Sequence, residues 1–313
     1  MVFRRDRLIK TINELGKPID MFNVGFVGNV GSGGGFEVLS SGATVDTTSV
    51  SGRTLHKFAS NGTLTVTNND GSTDAEIMVV AGGGCSNSWG AAGAGGYVYI
   101  PSGNYAIPTG VYTVTVAAVT APTTNGNDSS IGSIIVAKGG GRATHDGGSG
   151  GGAGGHNGSN GAATQPSQSG VSGTYGYGHA GGNGSGNHAG FGGGGAGGAG
   201  QNTISGAAGV GKSNNILGTT YHWAGGGGAG THGSGYGATC GSAGAIGGGG
   251  GGLNSHSSCG GAGGTGALNN GTAGGYRFSG YAGEHTGSGG GCGSTNCTSN
   301  CKNSGYVVVS VPT

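Results

Sequence analysis

The chain has 313 residues, 86 of them glycine, and charged residues make up only 7% of it, against about 25% in an ordinary domain. A formal net charge of +1 argues against the clustered Lys and Arg of a nucleic-acid-binding surface. We therefore expect no nucleic-acid partner. No run approaches the roughly 18 apolar residues of a membrane span, so we expect no membrane insertion either.

Residues 1–35 are predicted to form a short helix followed by a connector. RRDRLIKTINEL (4–15) has apolar residues at helical spacing, and Gly16 and Pro18 then end the pattern. A Gly/Ser-rich stretch follows from Gly25 to Gly35. Such a helix is too short to be stable alone. It serves either as an attachment or oligomerisation element, or it docks on its own domain.

Residues 36–138 together with 304–313 show the pattern of a small antiparallel β-sandwich. HKFASNGTLTVTN carries Asn61-Gly62 between two alternating runs, which predicts a β-hairpin. Further short, β-branched runs follow: EIMVVA (76–81), YVYI (97–100), VYTVTVAAV (111–119) and SIIVA (133–137). GYVVVSVP (305–312) is one more strand, far from the others in sequence. Because a lone strand has no partner, we expect it to return to the first sheet.

Residues 139–303 are predicted to be a large glycine-rich insertion, since 63 of the 86 glycines lie in residues 139–293. Disorder is one interpretation of this composition. Collagen is disfavoured, because prolines are few and no strict G-X-Y repeat is present. The favoured alternative is a bundle of packed polyglycine or polyproline-II helices. In such a bundle, neighbouring helices satisfy one another's backbone groups, and only glycine permits the close approach.

GAAGVGKS (206–213) matches the phosphate-binding-loop template G-x-x-x-x-G-K-[ST]. A working loop follows a buried strand and opens a helix that holds the phosphates. Here GGAGQNTIS precedes the motif and NNILGTTYHW follows it, and neither segment suits that role. We therefore expect a connection between glycine helices, no nucleotide and no cofactor.

The cysteines and acids are weak candidates for chemistry. Cys292, Cys297 and Cys301 have C-x₄-C-x₃-C spacing, which fits neither structural zinc nor plant-type iron–sulfur sites, so no metal is expected. Disulfides are the favoured alternative, and their pairing is left open. The candidates are Cys240, Cys259, Cys292, Cys297 and Cys301. The alternative is that Cys85, Cys240 and Cys259 are small buried residues. No paired catalytic constellation is present, so we expect no enzyme and no catalytic residues.

Aromatic and histidine residues cluster at the interruptions between glycine runs. If the runs are helices, these residues lie at their ends and form exposed loop tips that bind a receptor. The alternative is that the rings pack on the flat glycine faces as a minor core. The candidates are Tyr175, Tyr177, His179, Tyr221, His222, Trp223, Tyr276, Phe278, Tyr281 and His285.

A β module with AEIMVVAGGG (75–84), a long glycine-rich body and a closing SGYVVVSVP (304–312) resembles glycine-rich tail-fibre-tip and structural proteins of tailed bacteriophages. The resemblance covers residues 53–313. It implies a virion protein whose glycine-helix loops bind a host surface protein or glycan, with other virion or fibre proteins bound through the N-terminal segment. A capsid, tail or shaft component is the next alternative, and an ice-binding protein follows it.

Overall fold

The computed structural model describes residues 36–69, 71–86, 89–155, 158–185, 190–231, 240–256, 259–291 and 301–313. The fold is mostly β, as predicted, with two antiparallel sheets joined to a glycine-rich body. The predicted helix at residues 4–15 lies outside the described residues. The described residues contain one α-helix, the single turn α1 (Val171–Thr174).

The first sheet has five strands in the order β1-β4-β7-β8-β9, all antiparallel. Their bounds are β1 Glu37–Ser41, β4 Gly62–Asn68, β7 Gly110–Thr115, β8 Ser129–Ile131 and β9 Ile135–Ala137. In β4 the apolar residues Leu64 and Val66 alternate with threonines, and only the apolar pair is buried. This alternation is what a sheet with one packed face requires.

The second sheet has six strands in the order β10-β6-β5-β13-β3-β2. Their bounds are β2 Thr44–Asp46, β3 Arg53–Phe58, β5 Glu76–Val80, β6 Tyr97–Ile100, β10 Gly176–Tyr177 and β13 Tyr306–Pro312. The predicted return of the last strand is confirmed, because β13 pairs with β3 on one side and with β5 on the other. Its residues are buried almost throughout, as expected for a central strand.

The hairpin predicted at Asn61-Gly62 is wrong. β3 pairs with β2 and β13, whereas β4 pairs with β1 and β7, so the connection crosses from one sheet to the other. The Asn61 side chain accepts a hydrogen bond from the Val116 backbone at 2.8 Å. At Gly62, a Cβ would collide with the Ser41 carbonyl and the Phe58 ring. Glycine is needed here for close approach between layers rather than for a hairpin turn.

The main core lies between the two sheets. Phe58, Ile77, Val79, Val307 and Val309 from the six-stranded sheet pack in one cluster with residues of the other. The cluster also contains Leu64, Val66, Val114, Ile131 and Ile135. Strand residues form most of this apolar core, and Val171 and Tyr175 of the insertion pack against its edge.

The glycine-rich body is held by backbone hydrogen bonds with a three-residue period. In Ala91–Gly96, every residue donates its N–H to another segment, and residues three apart donate to the same segment. Three donor pairs result: Ala91 and Ala94 donate to Phe191 and Gly194, Ala92 and Gly95 donate to Gly290 and Gly287, and Gly93 and Gly96 donate to Gly141 and Lys138. Three donors per turn, directed to three neighbours, are the arrangement expected of packed polyglycine-II helices.

The same period recurs through the body. Gly190, Gly193 and Ala196 donate to Gly230, Gly227 and Ala224, which lie in an antiparallel neighbour. It also appears before residue 139, because Ala81 and Gly84 donate to Gly96 and Gly93. The glycine packing therefore begins directly after β5, earlier in the chain than the predicted insertion. We call all of these segments together, between residues 81 and 305, the glycine-helix bundle.

Gly93 tests how strictly the bundle requires glycine. A Cβ there would lie within 3.0 Å of the carbonyl oxygens of Ser149 and Gly150. Gly290, also in the bundle and also buried, is the matched control: its nearest atom would be the Gly84 oxygen at 3.7 Å. We expect Gly93→Ala to lower the free energy of unfolding by about 2 kcal/mol through overpacking. Gly290→Ala should leave it unchanged or raise it by up to about 1 kcal/mol. Equal losses in urea unfolding would contradict the packing described here.

The molecule has two poles. β5 runs into the bundle at Ala81, the chain turns back near Trp89, and β6 resumes at Tyr97. The turns farthest from the sheets define the distal pole, which contains residues 89–90, 153–155, 230–231, 254–256 and 275–278. Glu37 of β1 pairs with Asn68, at the opposite end of the sandwich from the bundle. The described chain therefore starts at one pole, and the turns listed above lie at the other.

Within the described residues, two disulfides link the bundle. Cys85 pairs with Cys301 across a sequence separation of 216, and Cys240 pairs with Cys259 across 19. Cys85 was not among the predicted disulfide cysteines. Cys292 and Cys297 lie outside the described residues.

Candidate functional site

Six of the ten predicted loop residues lie in two separate regions. Tyr177, Tyr221, Trp223 and His285 lie where the six-stranded sheet meets the bundle, which we call the junction. Tyr276 and Phe278 lie at the distal pole. Residues that share one sequence pattern, aromatic side chains between glycine runs, therefore lie in different surroundings in the fold.

At the junction the aromatic rings form a second core. Trp223 is fully buried and stacks on Tyr306 of β13, with ring centroids 6.0 Å apart and planes 10° apart. Tyr221 meets the Trp223 ring edge-on at 6.1 Å. Both residues belong to β12 (Tyr221–Trp223), which pairs with β11 (Lys212–Asn214). Trp223 is thus a packing residue and is inaccessible to a receptor.

Asn214 satisfies the polar atoms of this second core. Its amide nitrogen donates to the Tyr97 hydroxyl at 2.5 Å, and its carbonyl oxygen accepts from Trp223 Nε1 at 3.3 Å. The same oxygen accepts the Ile216 backbone N–H. Burial raises the pKa of Tyr97 well above its ordinary value, so its hydroxyl stays protonated. Tyrosine and tryptophan are buried here because each polar tip has a partner.

Tyr177 and Lys212 form the outer edge of the junction. The Lys212 ammonium lies 4.3 Å from the centre of the Tyr177 ring, a cation–π contact. His179 is exposed, and its pKa is lowered by partial desolvation and by the nearby Lys212 charge. Tyr175 is half-buried, and its hydroxyl donates to Asn104 at 3.2 Å. The backbone N–H of His222 donates to Gly266 at 2.8 Å.

The phosphate-loop motif leads into a strand. Gly209 and Gly211 donate their N–H groups to the carbonyls of Gly193 and Ile246. These two N–H groups are therefore already used in hydrogen bonds within the bundle and do not point at a phosphate. Lys212 and Ser213 then begin β11 instead of opening a helix. The N-terminal helix dipole that holds phosphates in a working loop is not formed by residues 206–214. The motif serves as a connection from the bundle to the junction.

Tyr276, Arg277 and Phe278 form an exposed tip at the distal pole, which we call the distal tip. Gly275 donates its N–H to the Phe278 carbonyl at 2.9 Å, which closes a tight turn. Arg277 has a positive φ of 61°, an uncommon conformation for a residue with a side chain. Its guanidinium lies 5.2 Å from the Tyr276 ring centre. Tyr276 and Phe278 are 49% and 58% exposed, so the tip presents two large rings to solvent.

Neighbouring turns support the distal tip. Thr231 forms a parallel bridge with Asn254, and Asn254 forms another with Tyr276, so three chain segments lie side by side. The Cys240–Cys259 disulfide adds a covalent link within the bundle. Tyr281, half-buried in the next segment of the glycine-helix bundle, donates its backbone N–H to Thr272 Oγ1 at 2.6 Å. The tip is therefore placed on a backbone-bonded and cross-linked support.

Within the described ranges, no cluster of three or more His, Cys, Asp or Glu side chains is placed to hold a metal ion. In the same part of the chain, no helix is both long enough and apolar enough to traverse a bilayer.

Comparison with known proteins identifies one family. No curated protein and no solved structure gives a significant match to the chain. Residues 59–268 match the family model described as a glycine-rich domain, which covers more than half of the chain and includes most of the bundle. The chain therefore belongs to the glycine-rich domain family.

Proposed function

We propose that this protein is a virion structural protein at the tip of a phage fibre, and that its distal pole binds a receptor on the host-cell surface. The observation that carries the proposal is the separation of the two poles. The described chain starts at the far end of the sandwich, and the exposed rings of Tyr276 and Phe278 lie at the opposite end. An attachment segment at residues 1–35 would leave the distal pole directed outward.

The distal tip has the chemistry of a recognition loop. Tyrosine and phenylalanine provide large contact area with little side-chain entropy to lose on binding. The bundle keeps the turn in place through main-chain hydrogen bonds, so little ordering is needed when a partner binds. Surface proteins and glycans both offer the flat apolar and hydroxyl-bearing faces that such rings contact. No chemical reaction is required for this role.

A cell-binding experiment tests the proposal. The full chain is labelled and incubated with a panel of Gram-negative and Gram-positive strains, and retention is measured by flow cytometry. We expect saturable retention on at least one strain. The double variant Y276S/F278S should reduce it at least tenfold, because both rings are removed from the contact. Val111→Ser removes a side chain that is 72% exposed on β7, and it should leave retention unchanged.

Few charges lie on the bundle, so retention should change little between low and high salt. Unchanged retention of Y276S/F278S would contradict receptor binding by the distal tip and would favour a non-receptor virion component. Retention on no strain would also count against the proposal.

A further inference from the structure

An open cleft of about 460 Å³ lies on the junction side of the molecule, away from the distal tip. Three segments enclose it: the crossing turn 59–61 between the sheets, residues 116–119 after β7, and the turn at Glu284 and His285. Ser304, just before β13, completes the lining. The volume falls in the range of small-molecule sites, about 300–1,000 Å³.

Two side chains in the cleft carry unused hydrogen-bonding capacity. Glu284 is exposed, and its carboxylate has no partner among the described residues; only its backbone carbonyl is engaged, by Asn269. His285 uses Nδ1 with the Ser304 hydroxyl and the Gly305 carbonyl, at 3.2 and 3.3 Å. Its Nε2 has no partner within the described part of the chain. A carboxylate and an imidazole nitrogen on consecutive residues thus line one cleft.

His285 is held in an unusual conformation. Its φ is +58°, in the left-handed region that residues with side chains rarely adopt. Its backbone N–H donates to Ser304 Oγ at 2.9 Å, and its ring packs on Tyr306 at 5.9 Å. These contacts fix the imidazole where it borders the cleft. A site with prepositioned polar groups loses little entropy when a ligand binds.

The remaining lining selects the ligand class. Val116, Ala118 and Val119 form an apolar wall, and Val119 is 47% exposed. Among the described residues, no Lys or Arg lines the cleft, so an anionic ligand would meet Glu284 without a compensating charge. Of the described lining, only Glu284 and His285 are common metal ligands, which is too few for a protein-bound divalent cation. Asn61 adds an amide donor, since within the described ranges its side chain is engaged through the oxygen alone.

We infer that this junction cleft binds a small hydroxyl-rich molecule, with the chemistry of a single neutral or amino-bearing saccharide unit. Glu284 would accept hydrogen bonds from hydroxyl or amino groups, and His285 Nε2 and the Asn61 amide would bond other hydroxyls. The aliphatic wall would pack against the C–H face of the ring. This site is independent of the distal tip proposed to bind the receptor.

Titration with four separate saccharides tests the inference. Glucose, galactose, glucosamine and glucuronate are added to the full chain, and the imidazole signal of His285 is followed by NMR. We expect a saturable shift with at least one of the first three, with a Kd of about 1 mM, and the weakest response with glucuronate. Absence of any saturable shift, or strongest binding of glucuronate, would overturn the inference.

Two variants localise the binding. Glu284→Gln should weaken it at least tenfold, measured by calorimetry. His285→Asn should do the same, because asparagine tolerates positive φ but lacks an atom at the Nε2 position. Glu37→Gln, which removes a carboxylate at the opposite end of the sandwich, should leave the Kd unchanged. If Glu284→Gln and His285→Asn bind like the parent chain, the cleft is not the site. Y276S/F278S should not alter saccharide binding in the cleft, so the two proposals fail separately.

Discussion

Removing the Cys85–Cys301 disulfide should lower the free energy of unfolding by roughly 5 kcal/mol, the largest effect we expect from any change discussed here. The bond closes a loop with a sequence separation of 216, which includes most of the bundle. In the chain-entropy model, a loop of this size strongly restricts the unfolded state. The double variant C85S/C301S, measured by urea unfolding without reductant, provides the test.

The Cys240–Cys259 bond is the matched control, because it lies in the same bundle but spans only 19 residues. The double variant C240S/C259S should lose roughly 3 kcal/mol by the same model. A larger loss in C240S/C259S than in C85S/C301S would show that loop entropy does not determine the stabilisation. It would then point to local packing at the distal pole.

Acidification from pH 7 to pH 4 should destabilise the protein by about 3 kcal/mol through His56 alone. This residue of β3 is 1% exposed, and burial lowers its pKa from 6.5 to about 4. In the unfolded chain the imidazole takes up a proton near pH 6.5, whereas the folded chain resists this until about pH 4. The contribution of His56 to stability is therefore full above pH 6.5. It falls as the pH drops towards 4, by about 1.4 kcal/mol for each unit of pH.

The surroundings of His56 explain this shift and define the test. Its Nδ1 contacts the Ser40 hydroxyl at 2.7 Å, while Nε2 is buried without a partner. Asp46, which pairs with Lys57, has a pKa held well below its ordinary value, so its contribution is lost only below about pH 4. In His56→Gln, the loss of stability between pH 7 and 4.5, measured by urea unfolding, should be much smaller than in the parent chain; the lowered pKa of His179 leaves a residual slope of the same sign. A slope equal to that of the parent chain would exclude His56 as the cause.

Strands β3 to β7, β9 and β13 could be predicted from sequence because each has a strong local signal, whereas β1, β2, β8 and the short strands β10 to β12 were not predicted. The run YVVVSV has a composition that favours a buried strand, and its isolation required a distant partner. The Cys85–Cys301 pair also follows the register of two paired strands. Val80 pairs with Tyr306, and five residues beyond this pair on each chain segment stand Cys85 and Cys301. Extending the register would have identified the bond.

The crossing turn and the division of the aromatic residues could not be predicted in the same way. Asn61-Gly62 has the residue types of a hairpin turn, but β4 pairs with β1 on one edge and with β7 on the other, so no edge is left for β3. Tyr221 and Trp223 resemble Tyr276 and Phe278 in sequence context, since both pairs lie next to a glycine run. Their burial differs because only β12 faces the aromatic residues of the six-stranded sheet. In both cases long-range packing, which a local pattern does not contain, decides the outcome.

The central place of β13 also has a consequence for biosynthesis. Its neighbours β3 and β5 are made early, but neither pairs with the other, and the space between them is filled only by residues 306–312. The six-stranded sheet therefore cannot be completed while the chain is still being translated through the bundle. Early strands with unpaired edges are prone to aggregate, so the growing chain depends on residues 306–312 to protect them. The six-stranded sheet is complete only when β13 has been made and has paired with both neighbours.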